Sequence, residues 1–549
     1  MHSMRSMELS THTISTTQRS FLAVGLVLLC WRLWRFTLLP RTKPLEPKEL
    51  PYWIPYLGHV RSFFKDFNGA LEKGRKYFGD SKEPYSVWIA GTRIYICTSP
   101  DDVADLYRNT TTISMHTVIE DMYRWIGVSD SGFRAMFAID ASAQHNIGLR
   151  TPEAPAVMIN EYHRQQTKQG ELFDDLLHTR IIPEFEKELR CIIDGSSPSI
   201  VSRSSNGVVV SLLQLCTSAF QSSTTTAFLG RKIWEVNPNL LQSFMVWERT
   251  NWKYLFQMPA LMSQDMLKAR DDIINSFVSY LEIPETERDD RNFFVKSIET
   301  MMRDVGCNEK DMAKVLMLHF WAIQGNIYKV AFWTLAHLVH NPSVLEQVQA
   351  EVSHGIKGDG QLDEIYLAEK CPLLDSLLSE VLRLTIASAL IRDIVAPTHI
   401  GGKILQPGNK VLVPYHQLHL NRSVWGEEPL SFEPARFVEN PKLLSSKAYR
   451  PFGGGKTLCP GRIFAKRFVG YAVAAILTKF DVCIDAEETR KLTDGRGGKG
   501  GGLESLPFPR INHTKPSPGA SLPVEGDDVL VVLREKHRPV DKNLGELHA

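Results

Sequence analysis

The stretch RPFGGGKTLCPGR, residues 450–462, lies near the C-terminal end of the 549-residue chain and places Cys459 after a run of glycines. Glycines let the backbone approach a bound group closely, and backbone N–H groups can donate to a metal-bound sulfur. An apolar helical pattern follows at 463–477. Its positive end favours a thiolate, and Pro460 is predicted at the first helical position. The pattern predicts a metal-bound cysteine, although a lone cysteine is more often a small buried apolar residue.

The longer pattern Phe452-x-x-Gly455-x-x-x-Cys459-x-Gly461 separates these two alternatives. It resembles the haem-binding loop of the cytochrome P450 superfamily. The resemblance implies that Cys459 is the axial ligand of a haem b iron and that Phe452, Gly455 and Gly461 bind the cofactor. It also implies the family's fold, mainly α with small β-sheets (α+β). Thiolate donation to a haem iron favours O–O bond cleavage.

Two further motifs occur upstream in the order that the resemblance implies. Glu380 and Arg383 form a Glu-x-x-Arg motif, and residues three apart on a helix share one face, so these two side chains can pair. The stretch SFEPARF, residues 431–437, is similar to the family's Phe-x-Pro-x-Arg-Phe motif, with Ala435 in place of the usual glutamate. The resemblance implies that Arg436 completes a buried Glu–Arg–Arg cluster that supports the haem loop.

Arg392 lies nine residues after Arg383 and matches a strand arginine that binds a haem propionate in this family. The fixed fork of a guanidinium suits a carboxylate. Thr457 stands where the family often has a basic residue for the other propionate, and Lys456 is an alternative partner. The family's Trp-x-x-x-Arg motif is not recognisable in the chain, and Arg164 is assigned no role.

A long helical pattern at 308–340 is predicted to cross the domain over the cofactor, at about 1.5 Å per residue. Asn308 is predicted to cap its start, and an Asn-Pro pair at 341–342 to end it. Gly325 and Asn326 align with the acid and threonine with which most family members bind dioxygen and deliver protons. Neither residue can act as an acid, although Asn326 can donate and accept hydrogen bonds. Both are catalytic candidates; alternatively, Gly325 bends the helix and Asn326 caps the bend.

The segment QGN at 324–326 and the following AFW at 331–333 resemble one branch of the superfamily. That branch includes sterol 7- and 12-hydroxylases and prostacyclin synthase. It contains hydroxylases that activate dioxygen and an isomerase that rearranges an endoperoxide without it, so the resemblance leaves both chemistries open. It implies a lipophilic substrate such as a sterol, terpenoid or meroterpenoid. The glycine-rich C-terminal region and the ending DDVLVVLREK, residues 527–536, resemble fungal members, which implies secondary-metabolite biosynthesis.

Net charge and cysteine spacing exclude several other classes of protein. A net charge of +1 and the absence of a basic stripe interleaved with aromatic residues exclude a nucleic-acid-binding protein. The eight cysteines have no C-x-x-C spacing, which argues against a structural zinc site or a disulfide framework.

We predict one catalytic domain at 57–549. Within it, residues 85–98 alternate as a strand. The aromatic-rich region 220–265 is predicted to roof the substrate pocket or, alternatively, to belong to the core.

The N-terminal region is predicted to anchor the chain in a membrane. After a tail at 1–20, residues 21–39 form an apolar transmembrane segment just long enough to span a bilayer, and Arg32 and Arg35 are predicted to reach its interface. A proline-rich hinge follows at 40–56. Basic residues concentrate after the midpoint of the segment, so the catalytic domain is predicted on the cytosolic side. Resemblance to eukaryotic members implies the endoplasmic reticulum.

Two other features are interpreted as structural. The stretch 494–523 is rich in glycine, proline and serine and is predicted to be a flexible surface insertion. His416 and His419 are spaced like metal ligands but lie in a strand-rich region, and we predict that they are structural.

These features predict a monomeric, membrane-anchored haem-thiolate monooxygenase acting on a lipophilic small molecule. Electrons are expected from an NADPH-cytochrome reductase, because the chain has no flavin or nicotinamide motif of its own. One alternative is an isomerase or dehydratase that works without dioxygen. The other is a non-catalytic haem-binding protein.

Overall fold

Helices form most of the structure, as the sequence predicts. The computed structural model of the protein describes residues 16–140, 142–144, 152–204, 207–492 and 506–536. The helices, numbered in chain order, are α1 (Thr16–Leu33), α2 (Leu39–Thr42), α3 (Val60–Lys65), α4 (Phe67–Tyr77), α5 (Pro100–Arg108), α6 (His116–Ile126), α7 (Asp130–Phe137), α8 (Pro155–Thr167), α9 (Glu171–Asp174), α10 (Ile182–Asp194), α11 (Leu212–Leu229), α12 (Lys232–Val236), α13 (Leu240–Leu255), α14 (Gln264–Glu282), α15 (Phe293–Asp304), α16 (Glu309–Gln324), α17 (Ile327–His340), α18 (Pro342–Ser353), α19 (Glu364–Lys370), α20 (Pro372–Thr385), α21 (Tyr415–His419), α22 (Arg422–Trp425), α23 (Arg436–Glu439), α24 (Arg462–Lys479) and α25 (Ala486–Leu492).

Three small sheets accompany the helices. The strands are β1 (Lys48–Glu49), β2 (Tyr85–Ile89), β3 (Thr92–Ile96), β4 (Ile113–Ser114), β5 (Ile200–Ser204), β6 (Gly207–Ser211), β7 (Ala389–Ile394), β8 (Thr398–Ile400), β9 (Lys403–Leu405), β10 (Lys410–Pro414), β11 (Phe480–Ile484) and β12 (Leu530–Glu535). The largest sheet has the order β1-β2-β3-β10-β7-β4, the second β11-β12-β6-β5, and the third pairs β8 with β9. The fold class is therefore confirmed.

The predicted strand at 85–98 is a hairpin of β2 and β3 rather than one strand. Ala90 and Gly91 both have positive φ, 48° and 87°. Two consecutive residues in this conformation form the tight turn whose twist suits an antiparallel hairpin. The alternation of apolar residues continues on both sides of the turn, which is why the pattern resembled a single strand.

The core lies around α17 and α24. Every residue of α17 from Ile327 to Val339 is buried, and so is every residue of α24 from Phe468 to Thr478. A helix that is buried on all sides must be surrounded by other elements. Helices α11, α20 and α24 pack against α17. The junction of α16 and α17 is thus held inside the molecule.

The N-terminal helix is joined to the domain through the predicted hinge. Within the part of the chain that the structure describes, the segment Ser20–Thr42 is the helix long and apolar enough to cross a membrane. Near its end, the Arg35 guanidinium pairs with the Glu49 carboxylate at 3.0 Å. Glu49 lies in β1, which pairs in parallel with β2. The stretch 40–56, predicted as a proline-rich hinge, is therefore partly built into the sheet.

The predicted surface insertion differs most from the structure. Residues 494–505 lie outside the described residues. From Leu506 onwards the chain returns to the interior, where Ala520 and Ser521 are buried. The indole Nε1 of Trp333 in α17 donates to the Ser521 carbonyl at 2.8 Å. The prediction of a surface position is wrong for this part, because prolines and serines here form an extended segment whose backbone binds core helices.

Candidate functional site

A cavity of about 630 Å³ joins the Cys459 loop to the α16–α17 junction, since residues of both line its wall. Small-molecule and cofactor sites usually measure about 300–1,000 Å³. Five predicted site residues meet in this wall: Cys459, Phe452, Gly461, Arg392 and Asn326. Most of the wall is apolar, and its apolar residues include Ile119, Met122, Leu318, Ile323, Ile327, Val330, Leu378, Leu382, Ile386 and Leu390. The cavity suits a lipophilic molecule.

The loop before α24 holds Cys459 with its own backbone. The Cys459 N–H donates to the Phe452 carbonyl at 3.0 Å, which closes the glycine-rich loop on itself. Gly455 does not line the cavity, but it has a φ of 59°, and a Cβ at this position would lie 3.1 Å from the Tyr107 ring. Glycine is therefore needed there both for the turn and for the close packing of the tyrosine.

Cys459 precedes the start of α24 by a tight turn. The helix begins at Arg462, with Gly461 at its N-cap, so the prediction that Pro460 occupies the first helical position is wrong. The physical reason is the turn at Pro460 and Gly461, which brings the backbone N–H of Gly461 towards the Cys459 sulfur. Burial raises the pKa of the Cys459 thiol, and this N–H and the charge of Arg462 oppose that effect. A bound metal ion would hold the sulfur as a thiolate.

Arg392 is a buried cation in the cavity wall. Its guanidinium donates to the Thr457 hydroxyl at 2.6 Å and to the Ile391 carbonyl at 2.7 Å. Among the described residues no carboxylate pairs with it, and burial lowers the pKa of Arg392. A buried charge is costly without a counter-charge. The site therefore fits an anionic group, such as a haem propionate, beside Arg392 and Thr457. Lys456 also lines the cavity.

Glu380, Arg383 and Arg436 form one buried ionic cluster outside the cavity wall. Arg383 donates to both carboxylate oxygens of Glu380, at 2.8 and 2.7 Å, and Arg436 donates to the same carboxylate at 3.1 Å. Arg383 also donates to the carbonyls of Pro429 and His419, at 2.6 and 2.9 Å. The structure thus brings together the three residues that the two motifs predicted to pair.

His419 connects this cluster to the cysteine loop. Its carbonyl accepts from Arg383, and its Nε2 accepts from the backbone N–H of Arg450 at 2.9 Å. Because an N–H can only donate, Nε2 must be unprotonated. Burial, helped by the charge of Arg383, lowers the pKa of His419 to about 3. The structural interpretation of His419 agrees with this contact, and His416 packs its ring 4.3 Å from that of His513.

The predicted helix at 308–340 is two helices, α16 and α17, so the prediction of one continuous helix is wrong. The break falls at Gly325 and Asn326, the two catalytic candidates. The predicted cap at Asn308 is confirmed, since its side chain accepts from the Asp311 N–H at 2.9 Å. Gly325 does not line the cavity; a Cβ there would lie 2.9 Å from the Trp321 carbonyl oxygen. Glycine permits the tight end of α16.

Asn326 does line the cavity, but its side chain does not cap the bend. Its Oδ1 instead accepts from the backbone N–H of Ala520 at 2.9 Å. The interpretation of Asn326 as a bend cap is therefore wrong. A distant segment, which the sequence could not pair with this position, supplies the partner.

The predicted roof at 220–265 belongs mainly to the core. Within this range Phe228 lines the cavity. Phe244, Trp247 and Tyr254 are buried in contact with α16, where Phe320 and Trp321 lie 5.3 Å from the rings of Phe244 and Trp247. The alternative interpretation, core aromatics, describes these residues.

Sequence reasoning missed a polar part of the wall formed by α8 and α16. His163 and His319 line the cavity and face each other, with His163 Nε2 and His319 Nδ1 3.2 Å apart. Burial lowers the pKa of His319 to about 4. Arg164, which received no role, also lines the cavity. His319 lies seven residues before Asn326, two helical turns on the same face, which was the one available signal.

Comparison with known proteins agrees with this geometry. Residues 218–508, slightly more than half of the chain, match the family described as Cytochrome P450. A fungal relative, cytochrome P450 monooxygenase poxD of Penicillium oxalicum, is 27% identical over 80% of this chain and 88% of its own length. Rat prostacyclin synthase is 29% identical over 37% of this chain and 44% of its own. Cholesterol 7-alpha-monooxygenase of Cricetulus griseus is 29% identical over 32% and 39%.

Proposed function

This chain belongs to the cytochrome P450 family, and we propose that it hydroxylates a lipophilic polycyclic molecule such as a sterol, terpenoid or meroterpenoid. It is an oxidoreductase of the monooxygenase type with a haem-thiolate cofactor, as its family and its fungal relatives are. The observation that carries the substrate proposal is the largely apolar 630 Å³ cavity that Cys459 and Asn326 share. A relative that acts on cholesterol by its name supports a sterol-like substrate.

We propose that the cofactor is haem b, held by the residues of the cavity wall on the side of Cys459. Cys459 would ligate the iron, Arg392 with Thr457 would bind a propionate, and Phe452, Gly455 and Gly461 would shape the loop around it. The Glu380–Arg383–Arg436 cluster would keep that loop in place through His419. Haem b bound there would supply dioxygen activation, one oxygen atom entering a substrate C–H bond while two electrons and two protons reduce the other to water.

In the part of the cavity wall opposite Cys459, Asn326 is the residue that we propose to assist proton delivery. It has no acidic group, so it would act by hydrogen-bonding a water at the cavity wall and keeping it in line for proton delivery. Gly325, outside the wall, would contribute through the helix break that places Asn326 there. The surrounding aliphatic residues would exclude other waters.

We propose that the protein is a monomer anchored in the endoplasmic reticulum membrane, with its catalytic domain in the cytosol. The apolar helix at Ser20–Thr42 supports an anchor. Electrons would come from a membrane-bound NADPH-cytochrome reductase. Removal of residues 1–39 is expected to transfer the protein from the membrane fraction to the soluble fraction, as checked by ultracentrifugation. The proposed setting is fungal secondary metabolism, and deletion of the gene should cause the substrate to accumulate.

The reaction is tested by isotope labelling of the purified protein with reductase, NADPH and ¹⁸O₂. A monooxygenase places one ¹⁸O atom in the product of a sterol or terpenoid substrate and consumes NADPH. Conversion that needs neither NADPH nor dioxygen would replace the proposal with the isomerase alternative, which the non-acidic Gly325–Asn326 pair and the similarity to prostacyclin synthase leave open. Cofactor binding without conversion of any accumulated metabolite would favour a non-catalytic haem-binding protein.

The role of Asn326 is tested by Asn326→Ala. Loss of the amide should lower the fraction of NADPH electrons that appear in product, because the proton-delivering water is no longer held. Asn341→Ala is the matched control: Asn341 ends the same helix, and its side chain donates to the His337 carbonyl away from the cavity. Coupling as high in Asn326→Ala as in Asn341→Ala would reject the proposed role.

A further inference from the structure

A second buried ion pair lies next to the α16–α17 junction. Glu248 of α13 and Lys329 of α17 are 1% and 2% exposed, and the Lys329 ammonium donates to the Glu248 carboxylate. The Asn251 amide also donates to Glu248, at 3.2 Å. A buried pair stabilises a fold little in itself, because desolvation of two charges offsets their attraction. Its retention beside a ligand cavity therefore calls for another reason.

The structural reason lies in the second bond of Lys329. Its Nζ donates to the carbonyl of Ala520 at 3.0 Å, while the N–H of Ala520 donates to Asn326 Oδ1 at 2.9 Å. Both backbone groups of Ala520 are thus held by two side chains three residues apart, Asn326 just before α17 and Lys329 in its first turn. The ion pair fixes Ala520, and Ala520 fixes the Asn326 amide.

This contact also sets the orientation of the amide. A backbone N–H can only donate, so the Asn326 atom that faces Ala520 must be the oxygen. The Nδ2 group then remains for the cavity that Asn326 lines, and within the described residues no protein acceptor binds it. Asn326 therefore offers the cavity a hydrogen-bond donor, not an acceptor.

The segment around Ala520 has little freedom to move. The Ser521 N–H donates to the Thr385 carbonyl at 2.9 Å, and the Ala387 N–H donates to the Gly519 carbonyl at 3.0 Å. A Cβ on Gly519 would lie 1.8 Å from Asn326 Oδ1, so only glycine allows this approach. The asparagine is held by a fitted surface and not by one bond alone.

We propose that Glu248 and Lys329 are positioning residues, which orient Asn326 through Ala520 so that its Nδ2–H donates to an oxygen-bearing group in the cavity. The proposal rests on the proposed role of Asn326 and deepens it. The proposal requires the Glu248 carboxylate and the Lys329 ammonium, which come from two helices and do not line the cavity.

The test uses the holoenzyme with reductase and compares four variants: Asn326→Ala, Lys329→Met, the double change Glu248→Gln/Lys329→Met, and the triple change that adds Asn326→Ala to the double change. The double change removes both charges, so that the fold does not retain an unpaired buried carboxylate. Lys314→Met in α16 is the matched control, since Lys314 binds the Gly127 carbonyl away from the cavity. The readouts are kcat, KM, coupling, and the C–O stretching frequency of the carbon monoxide complex, which senses a donor to the bound ligand.

We expect the double change to lower kcat towards the value of Asn326→Ala, by up to about 100-fold, with KM little changed. It should shift the C–O stretch in the same direction as Asn326→Ala, and adding Asn326→Ala should have no further effect. If Asn326→Ala alters coupling and the C–O stretch while the double change matches Lys314→Met, or if the effects add, positioning by the pair is overturned and the role of Asn326 stands. If Asn326→Ala alters neither, both proposals fail.

Discussion

The two walls of the cavity both rely on a buried carboxylate, but they place it differently. On the cysteine side, Glu380 binds Arg383 three residues away and Arg436 in a second motif, 56 residues away. On the opposite side, Glu248 binds Lys329 across 81 residues, and Lys329 then binds a segment near the C-terminus. The first cluster holds a loop through many backbone carbonyls, whereas the second orients one amide. The comparison indicates that one carboxylate serves stability and the other serves geometry.

Glu380→Ala removes the buried carboxylate on the cysteine side and should have the largest effect on the free energy of unfolding. It leaves the buried Arg383 guanidinium without a counter-charge and Arg436 with only the exposed Glu433, and breaking a buried pair in this way typically costs about 3–5 kcal/mol. Denaturant unfolding should show this loss, and the purified protein should contain little haem. Glu433→Ala is the control, since Glu433 also pairs with Arg436, at 2.9 Å, but is 53% exposed. A cost for Glu380→Ala no greater than for Glu433→Ala would contradict the assigned difference between the two carboxylates.

Gly519→Ala disturbs the opposite wall, where Gly519 packs against Asn326. The added Cβ overlaps Asn326 Oδ1, so either the segment or the amide must move, at a cost of about 1–3 kcal/mol. We expect coupling to fall with little change in haem content, as measured by product formed per NADPH. Gly470→Ala in α24 is the control, because its Cβ would meet only ordinary contacts with Leu378 and Leu374. Normal coupling in Gly519→Ala would show that the fit around Asn326 does not matter.

His419, which connects the Glu380 cluster to the cysteine loop, should give the smallest effect, a pH dependence of the free energy of unfolding. The pKa of His419 is about 3 when folded, below its ordinary value of 6.5. The unfolded chain therefore binds the proton first, and stability contributed by neutral His419 is lost as the pH falls from about 6.5 towards 3. At pH 5.5 this amounts to about 1.4 kcal/mol.

His419→Gln, whose amide oxygen can still accept from Arg450, should remove this part of the decline between pH 7.5 and 5.5. Unfolding free energies measured at the two pH values check the change. His399→Gln, at an exposed position, should leave the decline as it is. An unchanged decline in His419→Gln would show that the contact to Arg450 does not require a neutral ring.

The same contrast explains what the sequence could predict. Helical spacing predicted that Glu380 and Arg383 share a face, whereas the roles of Cys459, Arg392 and Arg436 were implied by the resemblance of their short motifs to the family. The resemblance also implied the mainly α fold class, and a local pattern predicted the cap at Asn308. The strand at 85–98 was resolved into a hairpin only by backbone conformation, since alternation alone does not mark a turn.

The opposite wall could not be predicted, because its contacts join distant segments. Polar and glycine-rich composition suggested a surface position for 494–523, yet Ala520 and Ser521 are buried through backbone bonds that composition does not reveal. No sequence pattern singled out Lys329 and Glu248, and none paired His163 with His319. The cap proposed for Asn326 was wrong for the same reason: the true partner lies 194 residues away.

Ligation of the iron by the sulfur of Cys459 can be read from the absorption spectrum of the reduced protein under carbon monoxide. Thiolate ligation should give a red-shifted Soret maximum in the natural protein and in Cys483→Ser, which changes an exposed cysteine. Cys459→Ser should lose that maximum together with all turnover. A natural protein without the red shift, or a Cys459→Ser protein that keeps it, would contradict the assignment.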